Sequence, residues 1–157
     1  VLARRALLQQ GDRLLERYQR ESTGLAVMMV DVDHFKQVND QHGHGAGDRL
    51  LVSIAQTMAR ALRPDDVLGR MGGEEFAAVL PGVSPTEAQA IAERVRSAVE
   101  RQALDATQGG PQRATVSIGL VHSATLGAEA DMDTLLLAAD TALYRAKAEG
   151  RNRVMVG

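Results

Sequence analysis

Apolar positions along the chain fall into two alternating patterns, helical spacing and short unbroken runs. Over residues 2–20, Leu7, Leu14, Leu15 and Tyr18 recur among Arg, Gln and Glu on one helical face, which predicts a helix. Ser22, Thr23 and Gly24 break it, and the run LAVMMV over 25–30 predicts a strand buried on both faces, with Asp31 at its carboxyl end. Over 48–63, Leu50, Leu51, Ile54, Met58 and Leu62 share a face that closes at Pro64, where a helix does not easily continue. Strands predicted over 67–71 and 75–80 flank Gly72-Gly73, a pair able to supply the positive φ angles of a two-residue hairpin turn. Ala88, Ile91, Val95 and Val99 predict a helix over 85–101 with Ser84 as its cap. A strand over 114–121, a helix over 132–148 closed by Gly150 and a last strand over 153–156 complete the pattern. Residues 102–112 read as the one loose, Gly-rich connection.

A hairpin set among helical crossovers predicts an α/β (α+β) fold, a mixed central β-sheet flanked by helices. No repeat or low-complexity linker divides the 157 residues, so a single domain over 1–157 is expected. A net charge of −2 and 3% aromatic residues argue against wrapping or stacking on nucleic acid. The absence of cysteine removes disulfides and thiolate metal sites. With no apolar run of about 18 residues and charges interrupting the start, a cytoplasmic location is expected, in a parent protein that could itself be membrane-tethered. The chain starts at Val1, which leads us to expect a catalytic fragment of something longer.

The chemistry concentrates in two stretches. RMGGEEFAAVLPG, residues 70–82, places Glu74 and Glu75 in a turn that could neighbour Asp31. Converging carboxylates suit a hard divalent cation, and Mg²⁺ is commonly held by one or two of them together with substrate phosphates. A solvated turn would use the same letters, so the surroundings decide. In VDVDHFKQVNDQHGHGAGDRL, residues 30–50, Lys36 follows the strand end, and Asn39 and Asp48 offer an amide and a carboxylate. Gly43, Gly45 and Gly47 would let backbone approach a ligand before a helix starts, although a plain loop-to-helix turn would look alike. A guanine edge has N1–H and N2–H donors beside the O6 acceptor, which a carboxylate and an amide match. GxxxxGK[ST] is absent, so this is no P-loop. His34, His42 and His44 invite a metal reading, but a phosphate-type Mg²⁺ site prefers oxygen.

DxDHFKxxND at 31–40, GHxxGD at 43–48, R-GGEEF at 70–76, VSIG at 116–119, AD-ALY-AK at 139–147 and GRN at 150–152 occur in this order. Together they resemble the GGDEF domain of diguanylate cyclases, which condense two GTP molecules into cyclic di-GMP, and the likeness runs from about Ala3 to Val154. It implies a sheet like that of adenylyl cyclases and polymerase palms. It also implies two Mg²⁺ ions per active site, or Mn²⁺ in their place, held by Asp31, Glu74 and the Val32 carbonyl. Glu75 would assist at the metal or in proton transfer, and Lys36 would stabilise charge. Asn39 and Asp48 match guanine-reading positions, Phe35 and His44 lie near the nucleotide, and Lys147 and Arg151 match contacts to the terminal phosphates. As plain residues, Phe35, Phe76 and Tyr144 read as core.

The likeness further matches Arg63 and Asp66 to an RxxD product-inhibition site, with Arg94 contributing. A strand of about five residues at ~3.3 Å each would put that site about 17 Å from the catalytic turn. A surface ion pair at a helix end would be the plain alternative. Closing a symmetric cyclic dinucleotide requires two domains facing each other as a homodimer, and an upstream sensor domain is implied. The chain departs from the family at its start, where Ala3 replaces the usual Asn and the DxLTGLxN segment is missing, and in its GGEEF variant signature, used by active members. A catalytically silent cyclic di-GMP receptor, or an interaction module, is the rival from another class. Intact Asp31, Glu74, Glu75, Asn39, Asp48 and Lys36 favour the enzyme.

Overall fold

A computed structural model describes residues 1–21, 23–104, 109–111 and 113–157. At its centre lies β2 (Leu25–Val32), every residue of which is buried, as the unbroken apolar run requires. Antiparallel neighbours flank it, β4 (Glu75–Pro81) on one side and β5 (Val116–His122) on the other. Outside β4 lies β3 (Val67–Gly72), and the short β1 (Leu2–Ala3) pairs parallel with it, while β6 (Val154–Val156) lies parallel to β5. The six-stranded order is therefore β1-β3-β4-β2-β5-β6, the mixed sheet expected.

Strand alternation splits the core in two. Met28, Val30, Phe76, Leu80, Ile118 and Leu120 pack under α3 (His44–Ala61) and α4 (Pro85–Arg101). Leu25, Val27, Met29, Ala77, Val79 and Val121 pack under α1 (Arg4–Arg20) and α6 (Met132–Ala148). The register sets Asp31 opposite Glu75 on the α6 face of the sheet. Helices α4 and α6 keep their predicted bounds because both open on capping boxes, Ser84 with Glu87 and Asp131 with Thr134.

Several expectations need correction. Residues 2 and 3 form β1 rather than helix, because pairing with Gly69 and Arg70 extends the sheet. The stretch between β2 and α3 is no loop: α2 (Phe35–His42) fills it, and α3 starts at His44 rather than residue 48 and ends at Ala61 rather than 63. Gly45 and Gly47 are thus helical, and Asp48 lies in the second turn. Tyr144 is 75% exposed, on the outer face of α6, whereas Phe76 is core and Phe35 half-buried. A short α5 (Ser123–Leu126) and a 3₁₀ turn at Gly127–Glu129 carry no periodic signal. Ser22 and most of the predicted Gly-rich connection, 105–108 and 112, lie outside the described residues. Among those described, no helix is long and apolar enough to cross a membrane.

Candidate functional site

The site begins at the β3–β4 hairpin. Gly72 pairs with Glu75, so the two tip residues are Gly73 and Glu74, one place later than the expected Gly72-Gly73. Both glycines have positive φ, 156° and 45°, which a side chain would disfavour. Arg70 braces the tip by donating from Nε (2.9 Å) and Nη2 (2.7 Å) to the Gly73 carbonyl. The Val32 N–H donates to the Glu74 carbonyl at 3.3 Å, which ties the tip to the end of β2.

Asp31 faces Glu75 across the register, with Glu74 on the adjoining tip. Asp31 is 5% exposed and its Oδ2 accepts from Lys147 Nζ at 2.7 Å. Burial pushes the Asp31 carboxyl up, Lys147 opposes that, and Glu74 and Asp33 add to it. The Glu75 carboxyl is raised too, by burial first and then by Asp31 and Asp140. Hard oxygen donors crowded against like charge fit a divalent cation. Among the described residues no group of three His, Asp or Glu side chains is gathered for a metal, and Mg²⁺ is commonly held by one or two carboxylates together with substrate phosphates. The histidines stay apart: His34 precedes α2 with φ 57°, His42 Nδ1 bonds the Gly109 carbonyl at 2.9 Å, and His44 opens α3.

A fourth acid, Asp33, escaped the sequence reading of roles. It is 6% exposed and accepts from Ser117 Oγ (2.6 Å), Thr115 Oγ1 (2.7 Å) and the Asn152 N–H (3.0 Å). Its place in the DxDH stretch was visible, but nothing in spacing tells a metal-facing aspartate from one that holds a turn. Beside it the Gly150-Arg151-Asn152 turn has φ of 123°, 65° and 47°. Lys147, in the last turn of α6, reaches Asp31, while Arg151, three residues past the helix end, is exposed.

On the far side of the hairpin, Asn39 of α2 lies against Gly47 of α3. Its Oδ1 is buried without a hydrogen-bond partner, and a Cβ on Gly47 would come within 1.9 Å of that oxygen. Asp48 follows immediately, exposed at the mouth of a cavity of about 670 Å³ walled by Leu2, Leu51, Val52 and Phe76. Lys36 is exposed in the first turn of α2 and Phe35 reaches toward Gly47, 3.2 Å from the position of its absent Cβ. Asn39, Asp48 and Phe35 are therefore neighbours, while Arg63, Asp66 and Arg94 are elsewhere.

Those three gather where α3 ends. Asp66, whose side chain is fully buried, accepts from the Arg63 N–H (2.7 Å), Nε (3.1 Å) and Nη2 (2.6 Å). Arg63 Nη2 also reaches the Pro81 carbonyl at 2.8 Å, and Arg94 Nε the Ala61 carbonyl at 2.7 Å. Asp66 holds the Arg63 proton more tightly than usual. Pro81 is the last residue of β4 and Glu75 the first, so this cluster and the hairpin tip are separated by the strand's length, about 20 Å. An open groove of about 800 Å³ adjoins the cluster.

The family model for the GGDEF domain of diguanylate cyclases matches residues 1–153. The chain is 42% identical over 137 residues to the probable diguanylate cyclase DgcT of Escherichia coli K12, covering 87% of this chain and 30% of that protein. It superposes on the GGDEF domain of DgcB from Caulobacter crescentus, solved in complex with c-di-GMP, with TM-score 0.90 and 30% identity over 98% of this chain and 87% of that one. The active GGEEF domain of a diguanylate cyclase from Vibrio cholerae gives TM-score 0.89 and 29% identity over 99% and 96%. The chain spans about a third of the length of the curated relatives it matches.

Proposed function

Because the chain belongs to the GGDEF family of diguanylate cyclases, we propose that it condenses two GTP molecules into cyclic di-GMP and pyrophosphate. The observation that carries this is the placement of Asp31 opposite Glu75 with Glu74 on the adjoining hairpin tip. Asp31, Glu74 and the Val32 carbonyl would hold Mg²⁺, or Mn²⁺, against the phosphates. Bound ions of this kind acidify a 3′-hydroxyl and neutralise a leaving pyrophosphate. Glu75, its carboxyl raised, is suited to taking a proton from the hydroxyl. Lys147 has three donors, so it can hold Asp31 and a phosphate oxygen together, with Arg151 and Lys36 gripping the rest of the chain of phosphates. Asn39 and Asp48 would read the guanine edge beside the apolar wall of the cavity, with Phe35 and His44 near the nucleotide. One such site holds one GTP, so turnover requires two copies facing each other as a two-fold pair.

Incubation with GTP and Mg²⁺ followed by chromatography tests the reading. Cyclic di-GMP should form, at a rate per molecule that climbs with protein concentration. GTP binding without product at any concentration would support the silent receptor instead.

Guanine reading has its own check. Gly47→Ala places a methyl group where Asn39 Oδ1 sits, so the amide must move while the helix keeps its shape. GTP affinity should fall about tenfold, equivalent to 1.4 kcal/mol, with a circular dichroism spectrum like the parent's. Unchanged affinity would remove Asn39 from the base site.

We also propose that Arg63, Asp66 and Arg94 bind the product and inhibit. Arg63→Ala removes the guanidinium fork, and cyclic di-GMP should bind at least tenfold more weakly in a calorimetric titration. Since the buried Asp66 carboxylate would lose the guanidinium and keep only the backbone N–H, a stability loss of about 3 kcal/mol or more accompanies the change whatever the cluster does. Product affinity is the deciding quantity, and equal affinities would leave only the ion pair.

A further inference from the structure

We infer that Asp33 is a positioning residue for Arg151: it fixes the Gly150–Asn152 turn so that the Arg151 guanidinium faces the terminal phosphates of the nucleotide. This rests on the nucleotide reading above and deepens it.

Arg151 and Asn152 are consecutive non-glycine residues at φ 65° and 47°, a backbone conformation that side chains rarely adopt and that persists only where surroundings enforce it. The enforcement is visible. The Arg151 N–H donates to the Ala146 carbonyl at 2.9 Å, and the Arg151 carbonyl accepts from Arg153 Nε at 3.0 Å. The next N–H, that of Asn152, donates to Asp33 Oδ2. The Asn152 side chain is held separately by Arg96 Nη1 at 2.8 Å and by Glu100, both on α4. With its backbone committed on both sides, Arg151 has only its side chain left to present, and that side chain is exposed.

Asp33 can hold the turn because it is itself held. Its two oxygens are aimed by the hydroxyls of Thr115 and Ser117 at the start of β5, and its own N–H donates to the Thr115 carbonyl at 2.9 Å. It sits two residues beyond Asp31 on the same chain segment, so one stretch carries both the acid beside the hairpin and the anchor of the Arg151 turn. The result is that the backbone from which the Arg151 side chain extends is fixed relative to Asp31 by protein hydrogen bonds before any nucleotide arrives.

Binding of GMP and of the α,β-methylene analogue of GTP, which cannot release pyrophosphate, is measured in Mg²⁺ for the whole chain and its variants. The parent should prefer the analogue, and absence of that preference would sink the nucleotide reading itself. Arg151→Ala should weaken the analogue about tenfold and GMP less than twofold. Asp33→Ala should do the same, and the double variant should be no weaker than Arg151→Ala alone, because one residue acts through the other. Asp33→Asn should stay within about threefold of the parent, since its amide oxygen can accept from Asn152 and Thr115 while its NH₂ donates to Ser117. Where Asp33→Ala does not fold, Ser117→Ala loosens the same carboxylate and should show a smaller loss of the same selectivity. Equal losses for both nucleotides, additivity with Arg151→Ala, or an Asn variant as weak as the Ala variant would each overturn the positioning role.

Discussion

Glu74→Gln is expected to lower cyclic di-GMP formation by about a thousandfold while the thermal midpoint stays within a degree or two of the parent. Glu74 is a hairpin-tip residue whose structural contribution is its backbone carbonyl, which accepts from Val32 and is unaltered by the change. Among the described residues its side chain makes no hydrogen bond or ion pair, so an isosteric amide leaves the turn intact. Its charge, in contrast, adds to the crowding that pushes the Asp31 carboxyl up, and losing it relieves that repulsion. The fold therefore loses nothing. A hard cation loses one of the two carboxylates assigned to it, and several kcal/mol of charge stabilisation at phosphorus corresponds to about three powers of ten in rate. Product chromatography gives the rate and a thermal melt gives the midpoint. Turnover above a tenth of the parent's would remove Glu74 from the metal site, and partial recovery at high Mg²⁺ would strengthen its place there.

How much of this was legible depended on what each segment buries. Strand β2 could be read because both of its faces are covered, α4 because Ser84 caps its start, and α6 because Gly150 closes its apolar face. Helix α2 was hidden because it has only eight residues and none is fully buried, so its apolar face is reduced to Phe35 and Val38. The start of α3 was hidden for a different reason. Gly45 and Gly47 weaken a helix locally, and at least Gly47 is there for the close approach of Asn39, a tertiary requirement that overrides propensity. Tyr144 departs from the core reading because an aromatic at helical spacing usually marks core, and here it lies on the solvent face of α6 together with Leu137, Asp140 and Thr141. At the site, the signature letters named Asp31, Glu74 and Glu75, and the register places them together. What spacing could not supply was the support around them: Arg70 on the Gly73 carbonyl and Asp33 on the Asn152 N–H are contacts between segments turned back on themselves or distant in sequence.

Gly119 shows how far the site depends on one close approach, and Gly119→Val should leave no stably folded protein. Gly119 lies in β5 on the α6 face, between Met29 of β2 and Met155 of β6. A Cβ there would stand 2.0 Å from the Ala139 carbonyl oxygen and 2.2 Å from the Leu143 nitrogen. Those are backbone atoms of α6, which no rotamer change can move aside. Even Gly119→Ala must lift the helix from the sheet, opening the packing of Leu135, Ala139 and Leu143, all buried. Overpacking of this kind costs about 3 kcal/mol or more, against a total stability of roughly 5–15 kcal/mol. A midpoint lowered by about 10 °C is expected for the Ala variant. Helix α6 also carries Lys147 and leads into Arg151, so the surviving Ala variant should bind GTP more weakly as Lys147 is drawn away from Asp31. Gly45→Ala is the contrasting control, because its Cβ would meet only the end of the Arg49 side chain at 3.4 Å and the helix gains from alanine. A Gly119→Ala midpoint equal to that of Gly45→Ala would mean that α6 does not rest on β5 at this point.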